Sequence, residues 1–146
     1  MSFLFAPPQQ AVIPVQDERY EFFPVRRVYC IARNYRAPGE AQPEAAALGS
    51  PLFFMKPADA IVPVADGETF ALPFPPMGEN LRPELELVAC LSKGGSNLTV
   101  EEAEAAIWGW CVGFDFARGD LQDAAKRAGA PWGNRESIRS VRAGDA

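Results

Sequence analysis

The chain has 146 residues, 48% of them hydrophobic, and a formal net charge of -5 from 14 basic and 19 acidic side chains. This length can bury one globular core, and the diffuse acidic balance argues against nucleic acid or an anionic membrane as a partner. Because the sequence contains no histidine, it excludes Ser-His-Asp and Cys-His catalysis and leaves oxygen ligands for any metal, which favours Mg²⁺, Mn²⁺ or Ca²⁺.

The sequence predicts a cytoplasmic protein. No apolar run approaches the ~20 residues that a membrane helix needs, and the N-terminus lacks the basic lead of a signal peptide. The three cysteines, Cys30, Cys90 and Cys111, lie among apolar neighbours without C-x-x-C spacing. This pattern favours buried reduced thiols over a nucleophile or a metal site.

The first half of the chain reads as short strands separated by proline-rich turns. Apolar runs bounded by turn residues predict strands at Val25–Ala32, Pro51–Pro57, Ala60–Val64 and Thr69–Leu72. The last two runs bracket Asp66-Gly67, which predicts a hairpin. The segment Arg36–Gly49 is rich in Ala, Glu, Gly and Pro and predicts a loop or a weak helix.

The second half adds two short helices. Thr99 and Glu102 form a capping-box pattern, which predicts a helix through Ile107 that ends near Gly109. A strand should follow at Trp110–Phe114, with Asp115 at its end. Asp120 can cap a second helix and Gly129 can close it, because aspartate is preferred at the start of helices and glycine just after their end. The order of elements predicts an α+β fold with a dominant sheet.

Three carboxylates stand out against apolar surroundings. Glu84 and Glu86 flank Leu85, so they point to one face if the segment is a strand. Asp115 lies between two phenylalanines, and a buried carboxylate needs a partner. Together these carboxylates could bind a hard divalent cation. The alternatives stay open: the glutamates could face solvent, and Asp115 could be a turn residue or pair with Arg118.

Several stretches, in their order and spacing, resemble the fumarylacetoacetate hydrolase family, especially its bacterial fumarylpyruvate and acylpyruvate hydrolase branch. The match extends over roughly Phe23 to Trp132. The residues that carry it are Val28–Tyr35, Phe53–Ala60, Asn80-Leu81 with Glu84–Leu87, Asp115 with Asp120–Gln122, and Pro131-Trp132.

The resemblance implies a fold of mixed β-sheet or β-roll type with short helices, and a homodimer. It implies a Mg²⁺ or Mn²⁺ ion held by Glu84, Glu86 and Asp115. The substrate would be a small 2-oxo or β-diketo acid, contacted by Gln122, with Arg33 and Lys56 near the site. The family's reaction is hydrolysis of a carbon–carbon bond in acylpyruvates such as fumarylpyruvate.

The chain departs from the family at the catalytic lid, which reads R-N-Y-x-x-H-x-x-E. Here Pro38 stands at the position of the general base and Ala41 at that of its glutamate. Glu40 is one position away and is a secondary candidate for a catalytic group. Gly119 stands where the family has an arginine. We therefore expect impaired hydrolysis; the alternatives are a non-catalytic remnant, or a decarboxylase or isomerase of 2-oxo acids.

The last fourteen residues look unlike the family. We divide the chain into residues 1–132, a partial catalytic domain, and residues 133–146, a tail, so that the fold would be incomplete at its C-terminal end. Codons can be chosen for the tail residues such that dropping one base changes the reading frame and gives the family's G-K-x-F-D-x-S-A-P pattern. This suggests a frameshift. Such a tail should be poorly ordered, and the unfinished sheet should leave apolar surface exposed, which favours association or aggregation.

Overall fold

The computed structural model describes residues 2–32, 34–35, 39, 41 and 49–131, together with the backbone of a strand at Glu136–Ala143. Arg33, Glu40 and nearly all of the predicted loop between residues 36 and 49 lie outside the described residues. In the described part the strands are β1 Val12–Asp17, β2 Tyr20–Pro24, β3 Val28–Ala32, β4 Leu52–Lys56, β5 Leu81–Leu91, β6 Ile107–Arg118 and β7 Glu136–Ala143. The α-helices are α1 Val100–Glu104 and α2 Gly119–Arg127, and a 3₁₀ turn lies at Ala58–Ala60.

The strands form antiparallel pairings in three sheets. β1 pairs with β2, β3 pairs with β4, and β5, β6 and β7 form the largest sheet in that order. The α+β prediction with a dominant sheet is confirmed. No helix in the described ranges is long and apolar enough to cross a membrane.

β5 and β6 present two different faces because side chains alternate along a strand. One face carries Glu84 and Glu86 opposite Asp115 and Gly113. Further along the same face, Cys90 and Cys111 join a buried apolar cluster with residues of the N-terminal hairpin and its exit, Ile13 and Val25. The core and the carboxylates therefore lie on one side of the sheet.

The opposite side of β5 and β6, which we call the apolar face, consists of Leu85, Leu87, Val112 and Phe114. Leu85 pairs with Phe114 and Leu87 with Val112. All four side chains are exposed, Leu85 to 64%. Surfaces of this kind commonly mark association sites.

The thiols behave largely as predicted. Cys90 and Cys111 are buried and unoxidised, whereas Cys30 is half-buried. The sulfur atoms of Cys90 and Cys111 lie 3.8 Å apart. The hydrogen bond between them lowers the pKa of the Cys90 thiol and raises that of Cys111.

The observed ends of the two helices agree only in part with those predicted from the sequence. Thr99 and Glu102 form the predicted capping box, but α1 ends at Glu104 because Ile107 already pairs with Leu91 as part of β6. Gly129, with φ of +63°, closes α2 as predicted.

Asp120 does not cap α2, since Arg118 is the N-cap residue and makes no side-chain cap bond. The Asp120 carboxylate instead accepts a hydrogen bond from the Glu79 backbone amide at 3.0 Å. This contact and the backbone amides at the start of α2 lower the pKa of Asp120. The side chain thus ties the chain before β5 to the start of α2.

The predicted hairpin around Asp66-Gly67 is wrong. The turn exists, with Gly67 at φ +76°, but residues 64 to 72 contain no strand. Pro63 makes a single bridge, and proline cannot donate to a ladder. The prediction that Asp115 ends a strand is also wrong, because β6 continues to Arg118.

The tail contains a strand, which corrects the expectation of poor order for that part of it. β7 runs antiparallel to β6, from Ala117 opposite Glu136 to Cys111 opposite Ala143. The physical reason is the edge of β6, whose unpaired backbone groups can accept another strand. The division at residue 132 and its frameshift explanation stay predictions.

Candidate functional site

The three carboxylates predicted to form a site lie on one face of the main sheet. β5 places Glu84 directly opposite Asp115 in β6, and Glu86 two residues further along. Side chains at directly opposite positions have Cβ atoms about 5 Å apart. The pKa of Glu86 is raised, first by burial and then by the negative charges of Glu84 and Asp115. Glu84 and Asp115 therefore lie close enough to Glu86 to affect its ionisation.

Lys56 joins this group from another sheet. It is the last residue of β4 and is only 2% exposed. Its Nζ forms an ion pair with Oδ1 of Asp115, which is also buried. A buried charge is tolerated when it is paired, so each of these two residues explains the burial of the other. This pairing replaces both open readings of Asp115, a turn residue or a partner of Arg118.

The donor set suits a hard divalent cation, but the ligands are not gathered around one point. Within the described ranges, no group of three His, Cys, Asp or Glu side chains stands close enough to hold a metal ion as placed. Carboxylate oxygens are the ligands that Mg²⁺ and Mn²⁺ prefer. The Lys56 ammonium supplies positive charge at Asp115. The donor set of this face thus fits the chemistry of a hard cation, whereas the side chains as placed do not converge on one point.

Gln122 approaches the same region from α2. Its side chain is buried, at 6% exposure, and its Oε1 accepts a hydrogen bond from Lys126 Nζ at 2.8 Å. Sequence reasoning missed Lys126. The available signal was its position four residues after Gln122, which puts the two side chains on one side of the helix.

An open cavity of about 1460 Å³ connects these side chains. Glu84, Glu86, Asp115, Gln122 and Lys126 line it, together with aromatic residues of β3 and β4. A few convergent polar groups in a largely apolar cavity are typical of a small-molecule site. The structure brings the predicted metal ligands and Gln122 to one cavity, whereas Lys56 does not line it and pairs with Asp115.

A second ion pair borders this region. Arg82 Nη2 lies 2.6 Å from Asp123 Oδ2, linking β5 to α2. The pair lowers the pKa of Asp123 and raises that of Arg82. A Cβ added at Gly119 would overlap the end of the Arg82 side chain. The glycine that stands at the family's arginine position therefore leaves room for an arginine from the neighbouring strand.

Comparison with known proteins gives consistent matches. The family described as Fumarylacetoacetate (FAA) hydrolase C-terminal matches residues 27–142. The mitochondrial oxaloacetate tautomerase fahd-1 of Caenorhabditis elegans is 34% identical over 110 residues, which cover 73% of this chain and 47% of that protein. A fumarylpyruvate hydrolase of Ralstonia sp is 36% identical over 75 residues, covering 51% of this chain and 38% of that protein.

Among solved structures, a fumarylpyruvate hydrolase from Pseudomonas aeruginosa in complex with Mn²⁺ and pyruvate matches with a TM-score of 0.78 and 39% identity. The match covers 96% of this chain and 62% of that chain. The chain spans about half the length of the curated relatives it matches, from 38% to 50%.

Proposed function

Because the chain belongs to the fumarylacetoacetate hydrolase family, we propose that it carries the metal-binding part of an enzyme acting on small 2-oxo or β-diketo acids such as fumarylpyruvate. The observation that carries this proposal is the placement of Glu84 opposite Asp115, with Glu86 on the same face and all three in one cavity. The Mn²⁺ and pyruvate of the Pseudomonas aeruginosa structure support this choice of ligand class.

In this proposal Glu84, Glu86 and Asp115 hold Mg²⁺ or Mn²⁺. Such an ion supplies polarisation of the substrate's oxygen atoms. Lys56 keeps the buried Asp115 carboxylate charge-balanced, and Gln122 contacts the substrate through its amide. The aromatic residues of β3 and β4 that line the cavity offer apolar contacts to the other end of the substrate.

We propose that hydrolysis is weak in this chain. Pro38 and Ala41 stand where the family has a histidine and a glutamate. A general acid–base group typically contributes ~10²–10⁴ in rate. Arg33 and Glu40, the other two predicted site residues, lie outside the described residues, so the role of Glu40 as a substitute base stays a prediction.

The second candidate is an isomerase of 2-oxo acids, and the match to oxaloacetate tautomerases favours it. Interconversion of keto and enol forms moves a proton and requires no activated water. The absence of histidine from the sequence removes the group that would activate water in hydrolysis, so it weighs less against tautomerisation. A third candidate, from a different class, is a chain that binds metal without catalysis.

Titration calorimetry with Mn²⁺ tests the metal site. Glu84→Ala and Asp115→Ala should each weaken binding, because each removes one anionic ligand. Glu104→Ala, an exposed carboxylate on α1, is the matched control and should bind like the wild type. Unchanged affinity in both site variants would rule the site out.

Two substrate assays with Mg²⁺ then separate the candidates. We expect little hydrolysis of fumarylpyruvate or acetylpyruvate, and faster keto–enol exchange of oxaloacetate than in buffer. Hydrolytic turnover in the usual enzyme range of ~1–10³ s⁻¹ would contradict the first expectation. Absence of both activities in a chain that binds Mn²⁺ would favour the non-catalytic candidate.

The assembly and the compartment are further proposals. The exposed apolar face defined above supports a homodimer. A cytoplasmic location stays a prediction, since the Caenorhabditis elegans relative is a mitochondrial protein.

A further inference from the structure

We propose that Lys126 is a positioning residue of this site: it fixes the amide of Gln122 with its N–H₂ group as the donor toward a 2-oxo acid. The inference rests on the proposed function and extends it to a residue that neither sequence motifs nor the metal site include. Three independent features of the molecule carry it: hydrogen-bond chemistry, shared lining of the cavity, and charge balance.

The hydrogen bond determines which way the Gln122 amide is turned. Lys126 Nζ lies 2.8 Å from Oε1 of Gln122. An ammonium group has donors and no acceptor, so the amide atom that it contacts must be the oxygen. The amide nitrogen is then the donor end of the Gln122 side chain, and the buried position of Gln122 limits other rotamers. A carboxylate or a carbonyl oxygen is the ligand group that such a donor can bind.

Lys126 and Gln122 line the same cavity as Glu84, Glu86 and Asp115. The hydrogen bond is therefore part of the wall that a ligand would contact. Lys126 and Arg127, the next residue on α2, are both exposed, but Arg127 does not belong to this lining. The two neighbouring cations thus differ in their relation to the cavity, which makes Arg127 a matched control.

The charges around the cavity favour a cation at this position. Glu84, Glu86 and Asp115 carry three negative charges when ionised, and Lys56 compensates one of them at Asp115. A divalent cation would compensate the other two. The carboxylate of a 2-oxo acid would then bring an additional negative charge, and Lys126 offers a positive one beside Gln122. The cavity is also bordered by Arg26, Arg27 and Lys93. Lys126 differs from them in its hydrogen bond to the buried amide of Gln122.

The test compares the wild type with Lys126→Met, Lys126→Arg and Arg127→Met, by calorimetric titration with Mn²⁺ and then with pyruvate on the Mn²⁺-loaded protein. Lys126→Met should weaken pyruvate binding about tenfold, which corresponds to ~1.4 kcal/mol. Its Mn²⁺ affinity should equal that of the wild type, which also shows that it folds. Lys126→Arg should recover most of the pyruvate affinity, and Arg127→Met should lose none.

A Gln122→Ala background separates positioning from simple charge attraction. If Lys126 acts through Gln122, Lys126→Met should add less than a twofold loss in that background. A full tenfold loss there would overturn the inference, as would equal effects of Lys126→Met and Arg127→Met in the wild type. If the wild type binds neither Mn²⁺ nor pyruvate, the proposed function fails first, and the inference fails with it.

Discussion

Replacing Lys56 by methionine tests how the buried Asp115 charge is compensated. The substitution keeps the length of the side chain and removes its charge. Lys56 is nearly fully buried, and its partner Asp115 is buried as well. Breaking a buried pair by removing one partner typically costs ~3–5 kcal/mol, because the remaining charge is left uncompensated. Against a usual domain stability of ~5–15 kcal/mol, we expect Lys56→Met to lose a large share of its stability.

A divalent cation should restore part of this loss. In the wild type, Mn²⁺ at a hundred times its dissociation constant would stabilise the fold by about 2.7 kcal/mol. In Lys56→Met the same ion would also compensate the unpaired Asp115 carboxylate. The variant should therefore bind Mn²⁺ more tightly, and its gain in stability should be larger than that of the wild type at equal free Mn²⁺ concentration.

Urea unfolding, followed by tryptophan fluorescence with and without Mn²⁺, measures both effects. The double variant Lys56→Met with Asp115→Asn is the control, since it removes both charges and should cost less than the sum of the single variants. A loss below about 1 kcal/mol for Lys56→Met would place it among ordinary surface substitutions and refute the buried pair. Equal gains with Mn²⁺ in both proteins would refute the charge compensation.

Three further experiments test other parts of the fold. The ion pair with Arg82 lowers the pKa of Asp123, so it stabilises the fold above the unfolded pKa of about 3.9 and loses this contribution as pH falls through the folded pKa. In Asp123→Asn the free energy of unfolding, measured with urea, should therefore fall less steeply at acid pH than in the wild type. Gly119→Ala should have the same effect, because it displaces Arg82. A fall as steep as that of the wild type would contradict the pair. Leu87→Lys should reduce self-association in analytical ultracentrifugation, because it charges the apolar face, whereas unchanged association would place the interface elsewhere. Hydrogen exchange should protect amides of Glu136–Ala143 that bond to β6, and full exchange there at the unfolded rate would return the tail to the poor order expected from its sequence.

Local sequence patterns predicted the features whose causes are local. The capping box of α1 and the glycine that ends α2 follow from residues a few positions apart, so spacing was sufficient. The shared face of Glu84 and Glu86 follows from strand alternation alone. The strands β3 and β4 were found because their apolar runs end at proline or turn residues.

Contacts between distant residues could not be predicted in this way. Lys56 and Asp115 are 59 positions apart, and Arg82 and Asp123 are 41 positions apart, so no spacing rule relates them. The hairpin of β1 and β2 was missed although apolar residues flank its turn at residues 17 to 20 on both sides. The predicted hairpin around Asp66-Gly67 failed for the opposite reason, because a local turn signal was present without strands long enough to pair.

The two faces of β5 restrict which insertions and deletions of residues the protein can accept. A shift of one residue in the pairing of β5 with β6 would turn Leu85 and Leu87 onto the face that carries Asp115, and Glu84 and Glu86 onto the apolar face. A shift of two residues would keep each side chain on its own face. In β6, Trp108 is an extra residue opposite the step from Cys90 to Leu91 in β5. This irregularity lies beyond the carboxylates and does not change the face on which they lie. Insertions and deletions of an odd number of residues ahead of Glu84 that alter this pairing should therefore be eliminated, because they exchange the two faces of β5.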